Sequence, residues 1–127
     1  MNWGSLGHVT LLIVEDDRFN RLLIVSLLSK YTNVKVVEAT NGVEALDELS
    51  KESIDVILLD IHMPKMNGFE TLEYIKKSEK SSKIPIMILS SDEDERRKSL
   101  ALGINAFIPK PFDLKLLEEQ IYKVLVA

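Results

Sequence analysis

The sequence predicts an α/β domain in which helices cover both faces of one parallel β-sheet. Short apolar runs typical of strands alternate five times with longer stretches of helical periodicity, and no low-complexity segment interrupts the series. The inner runs are almost continuously apolar, which is typical of strands buried on both faces of a parallel sheet. The chain has 127 residues, 46% of them hydrophobic, so we expect one compact domain with a substantial core.

The predicted order of elements is βαβαβαβαβα, and short loops with right-handed crossovers make it a doubly wound three-layer sandwich. Strands are predicted at about Val9 to Val14, Val34 to Glu38, Asp55 to Leu59, Ile84 to Leu89 and Ala106 to Pro109. Helices with apolar residues three or four positions apart are predicted at about Arg18 to Lys30, Gly42 to Lys51, Phe69 to Ser78, Glu93 to Leu102 and Leu114 to Val126.

The first three strands and helices are predicted mainly from the hydrophobic pattern. The first helix carries five closely spaced aliphatic residues and is expected to be heavily buried. Those residues are Leu22, Leu23, Val25, Leu27 and Leu28. The second and third helices are predicted from their periodicity alone, the second after the strand that begins at Val34 and the third after the strand that begins at Asp55.

The last two helices also have end signals. In the fourth, the acids of Asp92 to Glu95 precede the bases of Arg96 to Lys98, an order that suits the helix dipole and a solvated surface. Gly103 follows this helix as a C-cap residue would. Pro111 closes the fifth strand, and Asp113 is placed to cap the amino terminus of the last helix.

Composition excludes several classes of function. The net charge of -4, from 16 basic and 20 acidic residues, gives no electrostatic basis for binding nucleic acid or an anionic membrane. Without cysteine there are no disulfides and no thiolate metal sites. No secretory signal or apolar run of about 18 residues is present, so a cytoplasmic protein is expected. Residues 1–7 are expected to form a flexible leader before a domain of residues 8–127, and packing of Trp3 on the domain is the alternative.

Four of the predicted strands end in reactive polar residues. The first is followed by Glu15 and Asp16, the third by Asp60, the fourth by Ser90 and the fifth by Lys110. Because parallel strands present their carboxyl ends at one edge of the sheet, these side chains are expected to share a crevice. Such a crevice would bind a metal ion and a phosphoryl group.

The acids of this crevice favour a divalent cation. Adjacent ionised carboxylates repel each other by roughly 3 kcal/mol at ~5 Å and an effective dielectric near 20, so the cluster needs a positive partner. The oxygen donors of Glu15, Asp16 and Asp60 suit Mg2+. Together with Lys110 this ion would balance the three acids and leave the site ready for a phosphoryl group. Asp17 alone is better explained as the cap of the first helix.

The chain resembles the receiver domains of two-component response regulators, the flavodoxin-like family that includes the chemotaxis regulators. The resemblance covers about Val9 to Val126. It is carried by Val14-Glu15-Asp16-Asp17, by Leu59-Asp60-Ile61-His62-Met63-Pro64 with Asn67-Gly68, by Leu89-Ser90-Ser91 and by Lys110-Pro111-Phe112. It implies a (βα)5 sandwich with strand order 2-1-3-4-5 and a signalling switch rather than a conventional enzyme.

The resemblance also implies roles for individual residues. Asp60 would be the phosphoacceptor, and Lys110 would pair with the phosphoryl oxygen. Glu15, Asp16, Asp60 and the backbone carbonyl of His62 would hold Mg2+. Ser90 would move toward the phosphoryl group.

Three further positions have implied regulatory roles. Phe107 occupies the position of the switch aromatic of the family, and plain core or surface packing is the alternative. His62 and Asp92 match positions that tune the lifetime of the phosphoryl group. The alternative for His62 is a solvent-facing loop residue. Ser90, which precedes an acidic helix start, can also be explained as a simple helix cap.

The resemblance implies a sensor histidine kinase or phosphotransfer protein as phosphodonor and a downstream protein as target. The target would bind the face formed by the fourth helix, fifth strand and fifth helix, with no nucleic acid or membrane involved. The chain could be a free-standing regulator or a receiver from a larger protein, and only its size suggests chemotaxis.

The same residues allow competing interpretations. A phosphatase of the haloacid dehalogenase class needs an acid two positions after the nucleophile, where this chain has His62. A flavodoxin needs a phosphate loop where this chain has acids. A transition-metal site on the His62 ring rests on one nitrogen. The main alternative is a pseudo-receiver that binds partners without phosphorylation.

Overall fold

The computed structural model describes residues 1–127 and contains five strands and five α-helices. The strands are β1 (Val9–Val14), β2 (Val34–Ala39), β3 (Val56–Asp60), β4 (Ile86–Ser90) and β5 (Ala106–Pro109). The helices are α1 (Arg18–Leu28), α2 (Gly42–Lys51), α3 (Gly68–Lys77), α4 (Asp94–Ala101) and α5 (Leu114–Val126), and a 3-10 turn, Trp3–Leu6, precedes β1. Predicted and observed ends differ by no more than about two residues, the usual uncertainty of helix and strand ends.

All strand pairs are parallel, and the sheet has the order β2-β1-β3-β4-β5. This confirms the predicted flavodoxin-like sandwich with strand order 2-1-3-4-5. Alternate residues of β1 enter different cores: Leu11 and Ile13 pack toward α1 and α5, and Leu12 and Val14 pack toward α2 and α3. The sheet is therefore covered on both faces, which explains why β3 and β4 are buried throughout.

The first helix is less buried than its aliphatic residues predict. Only Ile24 and Leu28 are buried, whereas Leu22 is 50% exposed and the preceding Phe19 is 66% exposed. The prediction of a heavily buried helix is wrong because α1 lies on the outer layer, where a single stripe of the helix faces the sheet.

The amino terminus packs on the domain. Trp3 is 2% exposed, stacks on Tyr31 with ring centroids 4.5 Å apart and lies 5.6 Å from the Tyr122 ring. The Asn33 side-chain amide donates to the backbone carbonyls of Trp3 and Gly7, both at 2.8 Å. The expectation of a flexible leader does not hold at Trp3, because its large aromatic surface is buried against Tyr31, which follows α1, and Tyr122 of α5.

The strand register places the polar residues at one edge. Val14 is aligned with Leu59, Asp60 with Leu89, and Ser90 with Pro109. Glu15, Asp60, Ser90 and Lys110 therefore lie at similar heights along the carboxyl edge of the sheet. None of the helices has both the length and the apolar character that a membrane crossing requires.

Candidate phosphoryl site at the carboxyl edge of the sheet

The four strand ends meet as predicted. Glu15 follows β1 and is fully buried, and Asp60 ends β3 with 2% of its surface exposed. Ser90 ends the neighbouring strand β4 and is 1% exposed. The point where the chain passes from β1 outward to β2 and back to β3 is the switch point of the sheet, where ligands of open α/β folds bind.

Lys110 joins the two buried acids. Its Nζ lies 2.7 Å from Glu15 Oε1 and 3.0 Å from Asp60 Oδ1. The backbone N–H of Lys110 donates to the carbonyl of Ser90 at 2.9 Å, which fixes the residue against β4. The Lys110–Pro111 peptide bond is cis. The ammonium thus lies within the acid cluster, where it can neutralise one of the two charges.

Burial favours protonation of one of the two acids, Asp60. Burial and the adjacent Glu15 carboxylate raise the pKa of Asp60 to about 7, against the opposing effect of Lys110. Burial alone would raise the pKa of Glu15 as well, but its hydrogen bonds to Asp60, Lys110 and Asn20 hold that pKa below the ordinary value. Without a second cation, the pair therefore carries one proton at slightly acidic pH, and it resides on Asp60.

The acid cluster has the donors of a hard-cation site. Carboxylate oxygens of Glu15, Asp16 and Asp60 lie within 4.8 Å of one another, and Asp16 is exposed to solvent while the other two are buried. An all-oxygen set with one open side fits Mg2+, which keeps several waters and takes few protein ligands. The His62 ring is hydrogen-bonded elsewhere and does not belong to this cluster.

Two residues of α1 hold the acidic loop, which is the segment Glu15 to Asp17 between β1 and α1. Neither residue was identified from the sequence alone. The Asn20 amide donates to Glu15 Oε1 at 3.0 Å. Arg21 Nη1 donates to the backbone carbonyls of Glu15 and Asp16 at 2.8 and 3.1 Å. Asp17 accepts from the N–H groups of Phe19 and Asn20, so it caps α1 as predicted. The spacing of Asn20 and Arg21 from the acids, one turn into α1, is the only sequence signal of their role.

The β3–α3 loop is held against Asp60 by Gly68. The Gly68 N–H donates to the Ile61 carbonyl at 2.8 Å, and a Cβ at Gly68 would collide with the Asp60 carbonyl. Asn67 caps α3 in a reciprocal arrangement with Glu70. Within the loop, Lys65 has φ of 66°, in the left-handed region.

Comparison with known proteins decides the family. The response regulator receiver domain model matches residues 11–122. The chain belongs to this family. Its receiver sequence is 35% identical over 118 residues to a chemotaxis protein CheY homolog of Campylobacter jejuni, an alignment that covers 91% of each chain. The resemblance inferred from the four motifs is confirmed, and the family consists of signalling switches.

Solved receiver structures agree with the fold. The chemotaxis response regulator CheY4 of Vibrio cholerae superimposes with a TM-score of 0.84 at 28% identity, covering 93% of this chain and 99% of that one. The phosphorylated cyanobacterial phytochrome response regulator RcpA gives a TM-score of 0.77 at 31% identity, covering 94% and 91%. The acidic cluster of this receiver is therefore set in the expected scaffold.

Ser90 of this receiver is engaged by α4. Its hydroxyl donates to Glu95 Oε1 at 2.5 Å and accepts from the Asp92 N–H at 3.0 Å. The same Glu95 oxygen lies 2.9 Å from His62 Nε2. The Asp92 carboxylate accepts from the Asp94 N–H instead, so the acid that meets His62 is Glu95. Glu95 was not singled out from the sequence, because nothing there distinguishes it from the neighbouring acids, which suit a solvated helix start.

Phe107 of this receiver lies inward. It is 7% exposed and belongs to the core cluster between the sheet and the layer of α2 and α3. The Arg96 guanidinium of α4 covers its ring at 5.4 Å from the centroid. The position proposed as the switch aromatic therefore touches the helix that also holds Ser90.

Proposed function

We propose that this receiver accepts a phosphoryl group on Asp60 from the phosphohistidine of a sensor histidine kinase or phosphotransfer protein. The observation that carries the proposal is the position of Asp60, buried at the switch point with Lys110 at 3.0 Å and two further acids beside it. An Asp60 oxygen would form a bond to phosphorus while the P–N bond breaks, and the imidazole would leave with the electron pair and then take up a proton.

The residues around Asp60 would have separate roles in this transfer. Lys110 would bind a phosphoryl oxygen while keeping the Asp60 nucleophile in place. Glu15, Asp16, Asp60 and the His62 carbonyl would hold Mg2+, which would offset charge on the transferring group. Asn20 and Arg21 would keep the acidic loop in position. The ionised form of Asp60 is the nucleophile, and bound Mg2+ would favour that form against the effect of burial, which raises the pKa of Asp60.

Output is proposed to pass through the α4–β5–α5 face. A cleft of about 450 Å³ lies there, lined by Arg96, Leu100, Phe107 and Leu116 among others. Leu100 and Leu116 are 52% and 41% exposed, so the face offers apolar surface to a downstream protein. Ser90 and Phe107 would move together when Asp60 is phosphorylated and change this face. The setting proposed for the exchange is the cytoplasm.

His62 and Asp92 are proposed to control access of water to the aspartyl phosphate. His62 lines the cleft beside the acids, whereas Asp92 caps the start of α4. An unchanged rate of dephosphorylation in a His62→Ala, Asp92→Ala double variant would contradict this role.

The decisive test is intact mass after incubation with Mg2+ and acetyl phosphate. We expect one labile phosphoryl adduct on the wild type and none on Asp60→Asn. Asp47→Asn is the matched control, because Asp47 is an exposed acid paired only with Lys51. No adduct on a folded wild type would instead favour the pseudo-receiver, a binding module without phosphorylation.

A further inference from the structure

We propose that Glu95 is a latch on the switch: it holds Ser90 and His62 and must release Ser90 before that hydroxyl can bind a phosphoryl group on Asp60. Three atoms define the latch. Glu95 Oε1 accepts from Ser90 Oγ at 2.5 Å and meets His62 Nε2 at 2.9 Å. The inference rests on the proposed function, since it concerns the same phosphoryl group.

The two bonding states of Ser90 exclude each other. A serine hydroxyl has one hydrogen to donate, and here it is donated to the Glu95 carboxylate. Its oxygen already accepts the Asp92 N–H at 3.0 Å. A phosphoryl oxygen can only accept, so it would need the hydrogen that Glu95 now holds.

Glu95 also opposes the incoming group by its charge. It lines a cleft of about 460 Å³ together with Asp16, His62 and Asn67. This cleft opens beside the acid cluster, where the phosphoryl group must arrive. The Glu95 side chain is 15% exposed, so solvent screens its charge incompletely. The latch therefore adds a fourth carboxylate to the rim of a site that must receive an anion.

Arg96 would transmit the release of Ser90 by Glu95 to the α4–β5–α5 face. Arg96 follows Glu95 directly, and its guanidinium covers the Phe107 ring. Helix α4 is lightly anchored, because Ser99 is its single buried residue. A movement of Glu95 away from Ser90 would therefore displace the start of α4 and the cover over Phe107 together.

The test compares the rates of adduct formation from acetyl phosphate and Mg2+ in four proteins: wild type, Glu95→Gln, Ser90→Ala and the double variant. Glu95→Gln keeps the shape and removes the charge, so it weakens the charge-assisted bond. We expect about tenfold faster adduct formation in Glu95→Gln, and a clearly smaller gain from the same change in the Ser90→Ala background, where only the effect of the removed charge is left. Glu93→Gln is the matched control, with the same charge change at a neighbouring side chain that is 69% exposed and paired with Arg96.

A second readout needs no phosphodonor. The Asp92 amide donates to Ser90 Oγ, so its 1H–15N signal reports the position of that hydroxyl. We expect this signal to shift in Glu95→Gln and to stay in place in Glu93→Gln. An unmoved signal would overturn the latch.

The outcomes separate the latch from the function on which it rests. An equal gain in the Ser90→Ala background would overturn the latch and assign the effect to charge alone. Equal rates in wild type and Glu95→Gln would overturn the latch and leave the phosphoacceptor role intact. No adduct in any variant would overturn the proposed function, and the latch with it.

Discussion

The Lys110 ammonium lies 3.0 Å from the Asp60 carboxylate, although β4 separates the strands that carry these two residues. The lysine side chain therefore reaches across the end of a strand to its partner. Glu15, one strand further, is its second contact at 2.7 Å. One cation thus stabilises two buried acids, and its loss would leave both without a positive neighbour.

Replacing Lys110 with methionine is expected to lower the free energy of unfolding by roughly 3 kcal/mol at pH 8, because two buried carboxylates lose their cation. The loss should be smaller at pH 6, where Asp60 takes up a proton. Urea unfolding at both pH values measures it. Lys35→Met is the control, since Lys35 pairs with Glu52 at an exposed site. Equal losses in the two variants would contradict the role assigned to Lys110.

The metal-free protein is expected to lose stability as pH rises toward 7. The pKa of Asp60 is about 7 in the folded state against an ordinary 3.8, so between these values the native state holds a proton that the unfolded chain has released. This stabilisation is complete below pH 4 and is lost as pH passes 7. Glu15, whose pKa is lowered, has the opposite pH dependence: its contribution to stability is fully present above the ordinary pKa of 4.5 and is lost as pH falls below it.

Asp60→Asn isolates this effect. We expect the variant to exceed the wild type by about 2 kcal/mol at pH 8 in the presence of EDTA, because the amide carries no charge to repel Glu15. The difference should shrink toward pH 5. Chemical unfolding at several pH values gives the comparison, and a difference that does not vary with pH would refute the assigned cause.

The fold and the main site residues follow from local patterns in the sequence. Aliphatic runs identify buried parallel strands without knowledge of their neighbours, and the residue after each run is then fixed at the sheet edge. This pattern predicts Glu15, Asp60, Ser90 and Lys110. The structure brings Glu15, Asp60 and Lys110 into contact and places Ser90 beside the Lys110 backbone, with its hydroxyl bonded to Glu95.

The missed features depend on contacts that no local pattern records. Trp3 is buried because Tyr31 and Tyr122 lie beside it, and these residues are distant in sequence. Glu95 was lost among four consecutive acids, and only the orientation of the first turn of α4 selects it for Ser90. For α1, aliphatic content predicted burial, whereas the width of the buried stripe depends on the layer in which a helix lies.

Gly68→Ala is expected to lower the free energy of unfolding by about 2 kcal/mol and to weaken Mg2+ binding. The new Cβ would lie 2.6 Å from Ile61 Cα and would overlap the Asp60 carbonyl, so the backbone that carries the acid must move. Thermal unfolding and Mg2+ titration measure the two effects. Gly4→Ala, where the nearest atom is 3.8 Å away, should change neither. Unchanged Mg2+ binding in Gly68→Ala would argue against this packing.

Lys65→Gly is expected to stabilise the protein by about 0.5 to 1 kcal/mol. Lys65 has φ of 66°, where a side chain is disfavoured and glycine is not. The same change at Lys77, in the last turn of α3, should destabilise by up to about 1 kcal/mol, since glycine is a poor helix former. Denaturant midpoints distinguish the two. A loss of stability in Lys65→Gly would be incompatible with a left-handed residue there.

Trp3→Ala is expected to lower the free energy of unfolding by about 3 kcal/mol, because a buried and stacked indole is removed. Met1→Ala is the control, since Met1 is 64% exposed. Thermal and urea unfolding provide the measurement. Equal stability of Trp3→Ala and the wild type would restore the expectation of a detached leader.

The pairing of Lys110 with Glu15 spans 95 positions of the chain, which has a consequence for folding. Until β5 docks, a sheet built from β1 and β3 would hold Glu15 and Asp60 side by side without their cation. Repulsion between the acids then works against partly assembled states and is reduced when the last strand brings Lys110 between them. The charge arrangement that serves the finished site therefore also favours completion of the sheet over its intermediates.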